Sequence, residues 1–282
     1  MLLYINSDDE FASIAVNHNI NSDTDSSYKE IINDYMEVIM KNVDKVCEQA
    51  VAWIKQNVES AGAKGVVLGL SGGIDSAVVA ALCKKAFPEN TLTVMMPCYS
   101  NPVDEEHALL VADALKLNVK KVLLNDAFDT MKKLVGASES DPKLVLANIK
   151  SRLRMVTLYY YAGINNYLVV GTGNKSELTI GYFTKYGDGG VDMLPIASFV
   201  KKEVWELARY LGIPDVVIDK APTAGLWEDQ TDETEMGMSY EALDNYILTG
   251  AGSAQVKERV DSMFARSEHK RKTPPAFFPD MD

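Results

Sequence analysis

A short run of glycine, serine and aspartate at residues 69–76 has the composition of a phosphate-binding turn. It follows the apolar residues 66–68 and precedes the apolar residues 77–82, which predicts a buried strand, a turn and a helix. Glycines let backbone N–H groups approach an anion, and the start of the following helix adds unpaired N–H groups and the positive end of a dipole. Serine hydroxyls can donate to phosphate oxygens, and Asp75 can hold Mg²⁺. The predicted phosphate-binding residues are Gly69, Leu70, Ser71, Gly72, Gly73, Ile74, Asp75 and Ser76.

Two other interpretations of this run are weaker. A strand-to-helix turn can need glycine for steric reasons alone, but two serines and an aspartate in one phosphate-sized turn favour a ligand. The run is not a Walker loop, because no Gly-Lys-Ser/Thr follows it. Residues 171–176, Gly-Thr-Gly-Asn-Lys-Ser, come close to that motif, but Asn174 stands where the motif needs glycine.

Composition predicts an ordinary globular protein and excludes several classes. The chain has 282 residues, of which 47% are hydrophobic and 24% are charged. Apolar runs stay well short of the roughly 20 residues of a membrane span, and the N-terminus does not resemble a secretory signal, so we expect a cytoplasmic protein that does not enter a membrane. The three scattered cysteines form no metal-ligand spacing, and no nearby histidine would activate Cys98 as a nucleophile.

The net charge of −12 argues against a nucleic-acid groove, because phosphate neutralisation along a polymer needs clustered lysine and arginine. It does not argue against a nucleotide substrate. A small phosphate ligand needs only a local patch of positive charge, part of which Mg²⁺ can supply.

Strand and helix signals alternate along the chain. Apolar runs typical of strands occur at residues 65–70, 91–96, 119–124 and 167–171. Helices are predicted to begin near Ile74, Val103 and Lys143 and to span residues 28–60, 201–211, 240–248 and 256–264. Residues 182–190 and 221–238 are predicted loops. This pattern predicts a doubly wound α/β fold with a mostly parallel sheet and helices on both faces, in which ligands lie beyond the carboxyl ends of the strands. We expect residues 1–27 to be an extension and residues 28–282 to form a single domain.

Two further segments offer residues with alternative roles. Glu177 could join Asp75 on one Mg²⁺, or it could belong to a helix cap with Thr172 or Asn174 as the capping residue; both roles are compatible. Charges on the helix that begins near Lys143 are typical of a solvated face. Lys150 and Arg154 lie one turn apart on that face.

Four blocks, taken in order and spacing, carry a resemblance to a known family. They are Gly171-Thr-Gly-Asn-Lys-Ser-Glu177, the run from Gly181 to Asp192, Lys220-Ala-Pro-Thr-Ala-Gly-Leu226 and Glu268-His-Lys-Arg271. Together with the Ser-Gly-Gly-x-Asp-Ser turn they resemble the ammonia-dependent NAD⁺ synthetases, members of the N-type ATP pyrophosphatases. The resemblance implies an adenine nucleotide alpha hydrolase-like fold. It covers about residue 30 to the C-terminus.

The resemblance implies an activity and a set of site residues. The activity is the ATP-dependent amidation of deamido-NAD⁺ by ammonia, which gives NAD⁺, AMP and pyrophosphate through an adenylated intermediate. Further ATP-binding residues would be Thr172, Lys201 and Thr223. Deamido-NAD⁺ would contact Arg152, Lys185, Asp192, His269 and Lys270. Mg²⁺ would be held by Asp75 and Glu177. Lys201 would balance the charge of the triphosphate, and Asp188 would orient or deprotonate the incoming ammonium.

The resemblance also implies partners. We expect a homodimer with the dinucleotide site at the subunit interface. The residues before the glycine turn are too few for a glutaminase module, so we expect free ammonia, or ammonia from a separate glutaminase, as the nitrogen donor. The segment 97–103 departs from the commoner family sequence, and no adenine or ribose contact is assigned to it.

Two alternatives stay open at this point. The first is another synthetase of the pyrophosphatase type that makes GMP, asparagine or thiolated tRNA; thiolation is disfavoured by the acidity and by the lack of paired cysteines. The second is a nucleotide-sensing protein of the same fold without catalysis, which would leave Lys185, Asp188 and Asp192 without a task.

Overall fold

The computed structural model describes residues 42–138, 140–223, 225 and 231–279. The expected extension at residues 1–27 and the first part of the helix expected at 28–60 lie outside the described residues. The division of the chain into an extension and a single domain therefore stays a prediction.

Four parallel strands form the sheet of the described part of the chain. The strands are β1 (Gly65–Gly69), β2 (Thr91–Met95), β3 (Asn118–Lys121) and β4 (Tyr167–Val169). Their order across the sheet is β3-β2-β1-β4, with Gly69 opposite Val94 and Val67 opposite Val169. The chain steps outward from β1 to β2 and β3 and then crosses back to β4 on the other side of β1. The gap between β1 and β4 is thus a topological switch point, where doubly wound sheets bind ligands.

Helices connect and cover the strands. In chain order they are α1 (Val43–Ser60), α2 (Ile74–Ala86), α3 (Pro102–Leu115), α4 (Asn125–Leu134), α5 (Lys143–Asn165), α6 (Lys175–Ile180), α7 (Lys201–Tyr210), α8 (Asp215–Ile218), α9 (Asp232–Met236), α10 (Tyr240–Thr249) and α11 (Ala254–Arg271).

The core lies on both faces of the sheet. Val66 and Leu68 of β1 pack against α1, α2, α3 and α7 on one face, whereas Val67 packs against α4 and α5 on the other. This alternation follows from the two-residue period of a strand. A third apolar cluster joins α6, α9, α10 and α11. The predicted doubly wound fold with helices on both faces is confirmed.

Several predicted bounds were wrong. The third strand occupies Asn118–Lys121, because residues 122–124 turn away to start α4, a helix that was not predicted. The expected loop at 221–238 contains the short helix α9, and the last helix runs on to Arg271 through the basic segment. No helix in the described ranges is long and apolar enough to cross a membrane.

Candidate active site

The glycine turn between β1 and α2 has a shape fixed by its own hydrogen bonds. Ser76 Oγ accepts from the Ser71 N–H at 3.2 Å and donates to the Gly73 carbonyl at 2.9 Å. Gly72 has a φ of 78°, and a Cβ there would lie 2.1 Å from the carbonyl oxygen of Asp104 on α3. Only glycine therefore fits this position, because both the left-handed backbone and the close approach exclude a side chain.

Behind the turn, a buried lysine lies between two carboxylates. Lys201 is 1% exposed, and its Nζ lies 2.5 Å from Asp75 Oδ2 and 3.7 Å from Glu177 Oε1. Burial by itself would lower the pKa of Lys201, but the attraction of Asp75 and Glu177 outweighs it and raises the pKa. The lysine is a fixed positive charge behind the turn.

The ionised form of Glu177 is disfavoured in this group. Burial and the repulsion of Asp75 raise the pKa of Glu177 to about 8, although Lys201 pulls in the opposite direction. When both carboxylates are ionised they share one ammonium, which leaves an excess of negative charge. A further cation placed between them would relieve it.

One buried amide ties the two carboxylates together. Asn174 is fully buried. Its side-chain Oδ1 accepts from the backbone N–H of Glu177 at 2.9 Å, and the backbone N–H of Asn174 donates to Glu177 Oε2 at 3.2 Å. This is a capping box at the start of α6. The Asn174 Nδ2 also donates to Asp75 Oδ1 at 2.9 Å. Of the two possible caps the structure uses Asn174, not Thr172, and Glu177 takes part in the cap while its carboxylate borders the cleft.

The glycine turn opens into a cleft of about 850 Å³ over the carboxyl ends of the strands. Thr172 and Thr223 line this cleft with residues of the turn. Lys220 pairs with Asp104 at 2.5 Å and so fixes the start of the segment that bears Thr223. The structure therefore brings the sequence-predicted ATP-binding residues to one cleft at the switch point.

Asp188 lies at the opposite wall of the cleft. Its Oδ1 accepts from Ser151 Oγ of α5 at 2.6 Å and from the Thr184 N–H at 3.0 Å. The Asp188 N–H in turn donates to Ser151 Oγ at 2.9 Å. The predicted loop at 182–190 is therefore fastened to α5, with a carboxylate that faces the cleft.

Four of the predicted dinucleotide residues meet at the outer edge of this wall. Lys185 Nζ donates to the His269 carbonyl at 2.6 Å, and Arg152 Nη2 donates to the Lys185 carbonyl at 3.3 Å. Lys270 Nζ donates to the carbonyls of Gly181 and Phe183 at 2.8 and 2.7 Å. These cations are bonded to neutral carbonyl oxygens, which leaves their charge for an anionic ligand.

Asp192 lies apart from this group. Its Oδ1 accepts from Tyr159 O–H at 3.0 Å, and its Oδ2 accepts from the Val169 N–H of β4 at 2.7 Å. Burial and the charge of Asp192 raise the pKa of Tyr159. Both oxygens thus have partners within the chain, and the assignment of Asp192 to the dinucleotide stays a prediction.

The expected solvated face of α5 was wrong for Lys150 and Arg154. Lys150 is 8% exposed, and Arg154 lines the cleft, where its Nε and Nη2 donate to the Met96 carbonyl and to Ser100 Oγ at 3.2 and 3.3 Å. Arg152 is the exposed residue of the three. The error arose because a helix that borders a polar cleft buries charged side chains on its inner face, as well as apolar ones.

A buried carboxylate next to Lys201 was also missed. Asp232 accepts from Tyr240 O–H at 2.9 Å and from Tyr182 O–H at 3.1 Å, and Lys201 Nζ lies 5.0 Å from the centroid of the Tyr240 ring. Burial raises the pKa of Asp232. The acidic composition of 221–238 suggested a loop, so the signal available in the sequence pointed away from a buried residue.

The three cysteines lie in the interior of the protein. Cys47, Cys83 and Cys98 are free and buried, and burial raises the pKa of each thiol. The interpretation of Cys83 as a small buried residue is confirmed.

Known proteins with this fold and site identify the family. The model of the NAD synthase family matches residues 46–274. The chain belongs to the NAD synthase family. The NH(3)-dependent NAD(+) synthetase of Carboxydothermus hydrogenoformans is 54% identical over 235 residues, which cover 83% of this chain and 97% of that protein.

Solved structures of this family agree with the fold. A structure of NMN synthetase from Francisella tularensis has a TM-score of 0.79 at 36% identity and covers 84% of this chain and 98% of its own. A structure of NH3-dependent NAD synthetase from Campylobacter jejuni has a TM-score of 0.69 at 35% identity and covers 83% of this chain and 98% of its own. The family therefore spans the sheet, the glycine turn and the cleft described above.

Proposed function

We propose that this chain catalyses the ATP-dependent amidation of deamido-NAD⁺ by ammonia to give NAD⁺, AMP and pyrophosphate. The observation that supports this most strongly is the buried Lys201 between Asp75 and Glu177 behind a glycine turn at the switch point. Such a turn suits pyrophosphate, and relatives that share about half of their residues with this chain are named for this activity.

The reaction has two steps. An oxygen of the nicotinate carboxylate attacks the α-phosphorus of ATP; a carboxylate–phosphorus bond forms, and the bond between the α-phosphorus and the bridging oxygen to the β-phosphate breaks. Pyrophosphate leaves with that electron pair into the turn formed by residues 69–76. Ammonia then attacks the acyl carbon, AMP leaves, and the amide loses a proton. The chain contributes by positioning and by neutralising charge with Lys201 and backbone N–H groups.

Magnesium fits the carboxylates of Asp75 and Glu177. This ion takes one or two carboxylates from a protein and completes its shell with phosphates and water. Burial and the charge of Asp75 raise the pKa of Glu177, and a cation beside the two carboxylates would stabilise their ionised form. Bound Mg²⁺ would supply charge neutralisation at the phosphates. Thr172 and Thr223 border the same space as ATP-binding residues.

The other wall of the cleft binds the dinucleotide. Arg152, Lys185 and Lys270 place positive charge within one small region, and their present partners are neutral carbonyls. A charge-assisted bond to a phosphate or carboxylate is stronger than those bonds. His269 and Asp192 belong to the same proposed set. Asp188, held by Ser151 at the cleft, orients ammonium and accepts its proton.

A homodimer would complete this outer region. Val156, Tyr160 and Ile164 form an exposed apolar stripe on α5 at spacings of four residues, and Arg152 continues that stripe one turn earlier. Burial of such a stripe against a second copy would remove apolar surface from water and bring Arg152 into the interface. The proposed dinucleotide site would then lie between subunits.

The test is an assay of purified protein with ATP, Mg²⁺, deamido-NAD⁺ and ammonium. We expect AMP, pyrophosphate and NAD⁺ in equal amounts, each dependent on both deamido-NAD⁺ and ammonium. Glutamine is expected to replace ammonium only when a separate glutaminase is added. ATP hydrolysis to ADP, or no turnover with all four components, would contradict the proposal. Turnover with xanthosine monophosphate would favour a different synthetase of the same fold.

A mononucleotide substrate is the second candidate. The solved structure with the TM-score of 0.79 is that of an NMN synthetase, an enzyme named for the mononucleotide product. We favour the dinucleotide because the 54% identical relative is named an NAD(+) synthetase. A direct comparison of kcat/KM for nicotinic acid mononucleotide and deamido-NAD⁺ distinguishes the two. A larger value for the mononucleotide would reverse the assignment.

A further inference from the structure

Arg154 is a half-buried arginine that lines the cleft and forms no ion pair with a carboxylate of the described residues. Its Nε and Nη2 donate to two neutral acceptors, the Met96 carbonyl and Ser100 Oγ, at 3.2 and 3.3 Å. Within the described ranges its Nη1 has no hydrogen-bond partner. By contrast, the buried Lys201 of the same cleft pairs with Asp75 and Glu177. Asp188 and Asp104 attract this guanidinium only from beyond ion-pair distance, so an anion that paired with it directly would further stabilise its charge.

The position of Arg154 along α5 indicates which anion that is. Leu158, one turn later, has its Cδ1 3.9 Å from the place that a Cβ on Gly69 would take, so that turn of α5 lies over the phosphate side. Ser151, one turn earlier, holds Asp188 at 2.6 Å on the dinucleotide side. Arg154 stands between them, on the same face of the helix.

We propose that Arg154 binds the substrate carboxylate where that carboxylate meets the α-phosphate of ATP. This inference rests on the proposed function and assigns a further residue to its first step. Two anions must approach bonding distance there, and their repulsion opposes the attack. A planar guanidinium between them attracts both oxygens of the carboxylate and offsets the charge that develops as the carboxylate–phosphorus bond forms.

Arg152 does not take this role. It is exposed two positions earlier on α5, and its Nη2 donates to the Lys185 carbonyl on the outer edge. The two arginines thus have different roles. Arg152 belongs to the open side of the dinucleotide site, and Arg154 belongs to the reacting centre.

The test is the exchange of labelled pyrophosphate into ATP that depends on deamido-NAD⁺ and is measured without ammonium. We expect Arg154→Gln to slow this exchange by about 100-fold, in line with the loss of one donor to a developing oxyanion. The affinity for ATP alone, measured by titration with Mg²⁺·ATP, should change less than about threefold, because the phosphate turn is untouched. Arg209→Gln, an exposed arginine of α7 that pairs with Glu206, is the matched control and should behave as the unmodified chain.

A second pair of variants separates this role from a structural one. Arg154→Lys keeps a point charge without the planar fork and should retain about a tenth of the exchange rate. Arg154→Ala should regain exchange when guanidinium ion is added at non-denaturing concentration, and a purely structural defect would not respond.

Three results would overturn the inference. They are exchange by Arg154→Gln within about threefold of the unmodified rate, a loss of ATP affinity as large as the loss of exchange, and full exchange by Arg154→Lys. If Arg154→Gln does not fold, the lysine variant decides alone. An unmodified chain without dinucleotide-dependent exchange would instead overturn the proposed function.

Discussion

The phosphate side and the dinucleotide side of the cleft are built differently. On the phosphate side, Lys201 is buried and pairs with the half-buried carboxylates of Asp75 and Glu177, and Asn174 donates to both carboxylates. On the dinucleotide side, Arg152 and His269 are exposed, and Lys185 and Lys270 donate hydrogen bonds to backbone carbonyls.

Preorganised charge is therefore found mainly on the phosphate side of the cleft. The charges proposed to act on ATP are in place without a ligand, so their reorganisation cost has been met by folding. Of the charges proposed to bind the second substrate, Arg152 is exposed at one end of the apolar stripe of α5. A second copy that covered the stripe would complete that side, and substrate choice would then depend on assembly.

Removal of Lys201 tests the phosphate side and has the largest expected effect. Lys201→Gln should lower kcat by about 10² to 10³, because the two carboxylates lose their ammonium and the phosphates lose a fixed charge. AMP release under saturating substrates measures it. Lys202→Gln, at the exposed neighbouring position of α7, should leave kcat unchanged. Equal rates in the two variants would show that preorganised charge is unimportant there.

Disruption of the α5 stripe tests the dependence of the dinucleotide side on assembly. The double variant Tyr160→Glu, Ile164→Glu places two carboxylates in the proposed interface and should raise the dimer dissociation constant by at least about 100-fold. Sedimentation should show monomer, and dinucleotide-dependent turnover should fall while ATP affinity stays. Val216→Glu, on a helix over the opposite face of the sheet, is the control. An active monomer would remove the contrast between the two sides.

Removal of the Lys185 charge tests the dinucleotide side alone, with a smaller expected effect. Lys185→Gln should raise the KM for deamido-NAD⁺ by about tenfold, the size expected for one partly solvated charge-assisted bond, with the KM for ATP unchanged. Lys143→Gln, at the exposed start of α5, is the matched control. A rise in the KM for ATP instead would place Lys185 on the wrong side of the cleft.

The raised pKa of Glu177 predicts the smallest effect, on stability. Its pKa lies at about 8 in the folded chain and at about 4.5 when unfolded, so the folded state holds a proton that the unfolded state releases between these values. The free energy of unfolding should therefore fall as pH rises from 4.5 to 8. Glu177→Gln should gain stability relative to the unmodified chain as pH rises from 5 to 8.5, because glutamine has no proton to release.

Thermal or urea unfolding at the two pH values measures this difference. Glu89→Gln, an exposed glutamate that precedes β2, should show no such pH dependence. If Glu177→Gln and the unmodified chain lose stability in parallel, the carboxylates are not in conflict.

The sequence predicted the parts of the fold that local signals control. Strand β1, the glycine turn and α2 follow from an apolar run, small residues and a second apolar run. The Asn174 cap follows from asparagine three residues before glutamate. These features depend on neighbours a few residues away.

The sequence did not predict features set by tertiary placement. Helix α4 is short but amphipathic, so its pattern was present in the sequence although the helix was not predicted. The orientation of Arg152 and Arg154 depends on which face of α5 borders the cleft, which neighbouring residues do not specify. The burial of Asp232 depends on two tyrosines that lie 8 and 50 positions away.

The bond from Asn174 to Asp75 has a consequence for local opening of the chain. Because the same side chain holds the first turn of α6 and Asp75 in the first turn of α2, the start of α6 cannot fray without freeing Asp75. Amide hydrogens at the starts of α2 and α6, 99 positions apart in the sequence, should therefore exchange with solvent deuterium as one unit.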